Sequence, residues 1–219
     1  MKTKKTDIGT AVVKYLLDMK WDVYQEVAIK HCGRADVVAT QGKKLWVIEC
    51  KINRSVNILG QAYRWIGHAN YVSIATCSMY DTFYEDILIH FGIGAFRYQD
   101  YALKPSHYLS QDISPNLFRK RSDLIYSSLC DDQKTFADAG NNSGNYWSPL
   151  KSTCRNVSEY VNRNPGCGLR DMIRGIKTHY HNDSNAYSAL YHWLRSDMVP
   201  GIKMIKEGKR LKLYQCDVL

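Results

Sequence analysis

The chain has 219 residues, 45% of them hydrophobic, with 30 Lys and Arg against 21 Asp and Glu and a formal net charge of +9. That length and apolar content suit two domains with real cores and exclude a disordered chain, and the positive balance points to polyanionic partners. The basic residues 1–6 lead into an amphipathic segment, and no window approaches the ~20 apolar residues that span a bilayer; no membrane partner is expected, and a cytoplasmic location in a bacterial or phage-infected cell is.

Residues 7–19, DIGTAVVKYLLDM, carry Ile8, Val12, Tyr15, Leu16 and Met19 at helical spacing, with Asp7 placed as an N-cap. Residues 22–29, DVYQEVAI, alternate like a strand and include Glu26 among apolar neighbours. Residues 34–51, RADVVATQGKKLWVIECK, read as a hairpin whose strands are apolar enough to be buried through Val37, Val38, Leu45, Val47 and Ile48. Asp36 precedes the turn, and Glu49 and Lys51 share one face of the returning strand while Cys50 points into the opposite layer. An acid inside such a run is costly unless paired or bound to a cation. Two carboxylates offer hard oxygen donors to a divalent cation, and an ammonium two residues on can stand beside the water it activates. That is the chemistry of phosphodiester hydrolysis.

Farther on, residues 57–69 predict a helix, 71–76 a buried strand, 81–91 a helix and 94–98 a last strand. Helix, three strands, helix, strand, helix, strand specifies an α/β fold, a mixed sheet with helices on both faces. Gly92-Ile93-Gly94 is a turn, since it precedes a strand. Residues 104–150, rich in turn formers, predict a linker region containing one helix over 117–129 that exposes Arg119-Lys120-Arg121. From residue 151 the pattern predicts helices over 154–162, 168–179 and 184–196, then two strands around Glu207-Gly208. His179-Tyr180-His181 falls at a helix end, where histidines cap carbonyls. The last 69 residues hold twelve Lys/Arg against six Asp/Glu, so the positive excess concentrates there. Seven cysteines without a C-x-x-C pair argue against a disulfide framework or structural zinc.

Asp36, the hairpin and Glu49-Cys50-Lys51 together resemble the signature of the PD-(D/E)XK nuclease superfamily, with Ala35 where Pro is usual. The run Ile48-Glu49-Cys50-Lys51 is also similar to archaeal-type Holliday junction resolvases, a likeness covering roughly a fifth of the chain. The resemblance implies a restriction-endonuclease-like catalytic domain over 1–103. In it Mg²⁺, or Mn²⁺ in its place, is held by Asp36, Glu49 and the backbone carbonyl of Cys50, and Lys51 orients or deprotonates the attacking water. Glu26 is the additional acid such enzymes often carry, and Gln61 the helix glutamine that orients the site or touches the substrate backbone. Residues 151–219 resemble a small α+β winged helix-turn-helix. In that arrangement Lys203, Lys206, Lys209, Arg210 and Lys212 contact DNA phosphates from the wing, while Asn185, Ser188 and Arg195 face base edges from the third helix.

The expectation is a Mg²⁺-dependent DNA endonuclease for repair, recombination or phage DNA processing, with DNA as partner and a homodimer if both strands are cut. The alternatives are a restriction-type or modification-dependent nuclease, and a non-cutting DNA-binding regulator or inhibitor on a nuclease-like fold.

Overall fold

A computed structural model describes residues 3–29, 32–78, 81–99, 108–119, 121–141, 147–180, 182–208 and 210–216. The chain divides into two units, Met1–Trp147 and Ser148–Leu219.

The first unit runs α1 (Lys5–Asp18), β1 (Asp22–Ile29), β2 (Gly33–Gln41), β3 (Lys44–Cys50), α2 (Val56–Tyr63), β4 (Tyr71–Thr76), α3 (Thr82–Phe91), β5 (Gly94–Gln99) and β6 (Tyr108–Ile113). Its six strands lie in chain order in one mixed sheet, β3, β4 and β5 parallel and the other pairs antiparallel. Val38, Leu45, Val47, Val72 and Ile74 pack with Ile58 and Ala62 of α2 and Leu88 of α3 on one face. Val37, Ala39, Trp46 and Ile48 pack with Ile8, Val12 and Leu16 of α1 on the other. Burial on both faces explains why these strands read as nearly continuous apolar runs. Asp81 caps α3 by accepting from the Tyr84 N–H at 2.9 Å, and Gly92 ends it with φ 66°, a left-handed conformation that glycine adopts without strain.

Several expectations change in this unit. The strand signal does not end near residue 98: β6 pairs with β5 at the sheet edge, and its YLSQDI sequence is too polar to announce itself. Residues 104–150 are not a linker where described. Phe118, Leu124, Ile125, Tyr126 and Leu129 pack against the α2–α3 face, with Ile125 fully buried. Gln25 of β1 donates to the Lys134 carbonyl at 2.8 Å and accepts from the Ala139 N–H at 2.9 Å. The helix over 117–129 does not form, because those apolar residues are spaced for docking on the sheet rather than for a stripe. Among the described residues of this stretch, the helical segments are the short 3₁₀ turns Tyr126–Ser128 and Asp131–Lys134. Of the basic run there, Arg121 pairs with Asp123 at 3.0 Å, and Lys120 lies outside the described residues. The helix expected over 57–69 stops at Tyr63, and α1 starts two residues early, so Asp7 caps from inside the helix by accepting from the Lys4 N–H at 2.7 Å.

The second unit comprises α4 (Pro149–Arg163), β7 (Cys167–Gly168), α5 (Leu169–Gly175), α6 (Asp183–Arg195), β8 (Ile202–Glu207) and β9 (Arg210–Gln215). Its antiparallel sheet has the order β7-β9-β8, and Val157, Val161, Met172, Ile173, Leu190, Leu194 and Leu213 form its core. Ser148 and Asn182 cap α4 and α6. α5 ends at Gly175, four residues short of expectation. A side chain there would collide with the Tyr160 ring, and the chain leaves the helix extended at Ile176. His179 Nδ1 meets Thr153 Oγ1 at 2.7 Å, and His181 lies outside the described residues. Among the described residues no helix is long and apolar enough to cross a membrane, and all seven cysteines are free.

Candidate active site

Three acids fall in a row across β1, β2 and β3. The β1–β2 ladder pairs Gln25 with Val37 and Val27 with Ala35, which puts Glu26 opposite Asp36 on a rung the ladder skips. The β2–β3 ladder starts at Val37 with Ile48, which puts Glu49 opposite Asp36 one rung farther, where the strands part. The face alternation also breaks here. Val23 and Val37 belong to the α1 side, whereas Val27 and Ala35 belong to the α2–α3 side, so both strands change phase across the Glu26–Asp36 rung. Glu26 accommodates the change with φ 53°, a strained value for a residue with a side chain.

The acids are buried, with relative exposures of 0% for Glu26, 4% for Asp36 and 2% for Glu49. Asp36 Oδ1 accepts from Lys5 Nζ at 2.8 Å, and its Oδ2 accepts from the Cys50 N–H at 2.8 Å, replacing the missing ladder bond. Glu49 Oε1 accepts from Trp65 Nε1 at 2.6 Å, and its carboxyl lies beside that of Asp36. Burial first, and the Asp36 charge second, push the Glu49 pKa up to about 8. Glu26 Oε1 accepts from the N–H groups of Gly140 and Asn141 at 2.7 and 3.0 Å. Its Oε2 stands 2.7 Å from Arg34 Nε, an ion pair without the alignment of a hydrogen bond. Burial and Asp36 raise its pKa against the pull of Arg34, Lys5 and the Gly140 N–H. For Lys5, burial opposes the ammonium, but the charge and hydrogen bond of Asp36 outweigh it and its pKa is raised.

The candidate residues therefore separate. Asp36 and Glu49 meet. Glu26 lies next to Asp36, but its carboxylate is turned to Arg34 and the 140–141 backbone. Lys51 leaves β3 beyond Glu49, and its Nζ donates to Ser55 Oγ at 3.0 Å. Cys50 presents its N–H to Asp36, and burial, then Asp36, hold its thiol well above the usual range on the α1 side of the sheet. Gln61 is half-buried on α2, and its side chain makes no hydrogen bond to the described residues. Among the described residues, no three His, Cys, Asp or Glu side chains converge as a metal-ligand group.

Lys5, Trp65, Arg34 and the 140–141 backbone complete the site and were not singled out from the sequence. Lys5 had a signal: it precedes Ile8, Val12 and Leu16 at helical spacing and thus extends the buried stripe of α1 to the sheet end. The 140–141 contact had none, being about 114 residues away from Glu26 in the chain.

In the second unit, Asn185, Ser188 and Arg195 are exposed on α6. The β8–β9 register places Lys203, Arg210 and Lys212 on one face of the hairpin with Ile205 and Glu207, and Lys206 on the other. Lys209 lies outside the described residues.

No protein-family model matches the chain, and no curated protein matches it. Among solved structures it is similar to SPO1766, a protein of unknown function from Silicibacter pomeroyi, at 14% sequence identity. The match covers 75% of this chain and 95% of that one, with a TM-score of 0.42.

Proposed function

We propose that the chain is a metal-dependent DNA endonuclease of the PD-(D/E)XK type, with a winged-helix second unit that engages DNA. One observation carries this reading: Asp36 and Glu49 face each other, buried, at the point where β2 and β3 part. Two such acids are stable together only with a proton or a cation between them, and Glu49 holds its proton up to about pH 8 here. An oxygen-only donor pair of this kind suits a hard divalent ion, Mg²⁺ or Mn²⁺. When bound, that ion supplies an acidified water and a counter-charge for the phosphoryl oxygens.

The chain's own residues have separate tasks in this reading. Asp36 and Glu49 would hold the ion, and Trp65 and the Cys50 N–H fix their rotamers. Lys5 balances the charge on Asp36. Lys51, steadied by Ser55, orients the attacking water and faces the charge developing on phosphorus. Glu26 supports the row from β1 by locking Arg34 and the 140–141 backbone.

The test is a cleavage assay with Mg²⁺ or Mn²⁺ against EDTA on plasmid, linear, single-stranded, branched and methylated DNA, with Asp36→Asn and Glu49→Gln beside the parent. Metal-dependent cutting is expected, reduced on the order of 100-fold or more in either variant while DNA binding persists. An Asp36→Asn protein that cuts as well as the parent would sink the assignment. The substrate cut best separates a junction or repair nuclease from a restriction-type or modification-dependent one. The presence of Lys5 on Asp36 favours a second reading, a non-cutting DNA-binding protein whose site is neutralised from within. Tight binding with no cutting on any DNA form is its signature.

A further inference from the structure

A cavity of about 290 Å³ opens in the second unit between α5 and the first turns of α6. At the ~30 Å³ a water occupies in the liquid, that is room for roughly ten waters, or for a tetrahedral anion with part of what carries it. Arg170 and Arg174 line it from α5, and Asp183, Ser184, Tyr187 and Ser188 from α6. The two arginines stand four residues apart on one helix face, an arrangement that costs a helix a few tenths of a kcal/mol. Neither makes an ion pair with a carboxylate among the described residues, so that repulsion is only partly offset, by Asp183 across the cavity. Arg170 is held by an internal contact, its guanidinium 5.6 Å from the Tyr187 ring centroid. Tyr187 in turn lies parallel to Tyr191, with centroids 6.3 Å apart and planes 9° apart, so this wall is braced.

Ser184 and Ser188, also four residues apart, add two hydroxyls from the opposite wall, with Ser184 in the first turn of α6 at the positive end of its dipole. Asp183 contributes one negative charge against two guanidinium charges. A planar guanidinium fork matches a phosphate edge with two parallel N–H bonds, and hydroxyls complete such a cage without adding charge. We infer that this cavity is a phosphate-binding site that takes a phosphoryl group of a nucleic-acid strand, Arg170 and Arg174 serving as its forks. The strand as carrier rests on the proposed DNA reading; the phosphoryl chemistry does not. Ser188 thereby leaves the set of base readers and becomes part of a backbone anchor.

The experiment uses the full chain, the variant Arg170→Gln/Arg174→Gln, and circular dichroism to confirm that the variant is folded. Anisotropy is measured over a salt series with one labelled oligonucleotide carrying a 5′-phosphate or a 5′-hydroxyl, and calorimetry with inorganic phosphate. The salt slope of log K is expected to fall by about 1 to 2 in the variant. Equal weakening on both oligonucleotides assigns the cavity an internal phosphodiester, and weakening only on the 5′-phosphate form assigns it a strand end. Unchanged affinity and slope on both overturn the site. If the parent binds neither oligonucleotide, the DNA reading fails, and the calorimetry then decides alone: phosphate binding lost in the variant upholds the cavity, and none in the parent overturns it.

Discussion

The two units treat charge in opposite ways. In the first, Glu26, Asp36 and Glu49 are buried, and each is met by donors of the same unit: Arg34 with two backbone N–H groups, Lys5 with the Cys50 N–H, and Trp65. In the second, Arg170, Arg174, Arg195, Lys203, Lys206 and Arg210 are exposed and have no carboxylate partner among the described residues. A buried charge must be matched atom by atom or it destabilises the fold by several kcal/mol, whereas an exposed cation is solvated and nearly neutral to folding. The first pattern is how a fold builds a rigid site. The second leaves charge available to a partner.

The sharpest way to break that contrast is to remove the most enclosed acid. Glu26→Ala leaves the N–H groups of Gly140 and Asn141 and the partly exposed Arg34 without their acceptor, and should lower unfolding free energy by about 2–4 kcal/mol in urea. Glu26→Gln keeps the Oε1 acceptor for the two N–H groups and should lose less. A loss within 1 kcal/mol for the alanine variant would mean the row is not structurally enclosed, and the contrast would fall.

Why this network escaped the sequence is instructive. β1 was legible from its alternation and β2 to β5 from the apolar runs that burial on both faces imposes, and the pairing of Asp36 with Glu49 followed from their positions on a hairpin. The phase change at the Glu26–Asp36 rung was not legible. It depends on a positive φ at a glutamate, which no periodicity announces, and on the segment reaching Gly140, whose polar and irregular sequence reads as a linker. Its docking residues, Ile125 above all, have no repeat because they follow the sheet surface instead of a helix. Lys51 was placed by alternation beside Glu49, yet strand geometry ends at Cys50, and a side chain one residue beyond it is free to turn to Ser55. In the second unit the hairpin cations and helix order were readable, but the cavity was not, since Arg170, Arg174 and Ser188 belong to two helices whose approach only the core determines.

A second probe acts on pH. Folded Glu49 keeps its proton to about pH 8, while the unfolded chain releases it near 4.5. Between those values the unfolded state binds fewer protons than the folded one, so this group's contribution to stability falls as pH rises from 4.5 to 8 and is level beyond. Glu49→Gln preserves an acceptor for Trp65 and cannot ionise. The stability of the variant relative to the parent should therefore climb across that window, by roughly 2–4 kcal/mol, when unfolding is followed at pH 5, 6.5 and 8. A difference independent of pH would show that Glu49 ionises in the folded chain as freely as in water.

The smallest expected effect on stability tests the other half of the contrast. Lys203→Gln, Lys206→Gln and Arg210→Gln together alter three exposed cations, and away from cores and caps such changes stay within about 0.5 kcal/mol each. Because Lys203 and Arg210 lie on one hairpin face and Lys206 on the other, a duplex seated on one face would feel two of the losses and not the third. The salt slope of DNA binding should then fall by about 2 in the triple variant, and by the same amount in Lys203→Gln/Arg210→Gln with Lys206 intact. A triple variant that falls a full contact further than the double would mean that both faces of the hairpin touch phosphate.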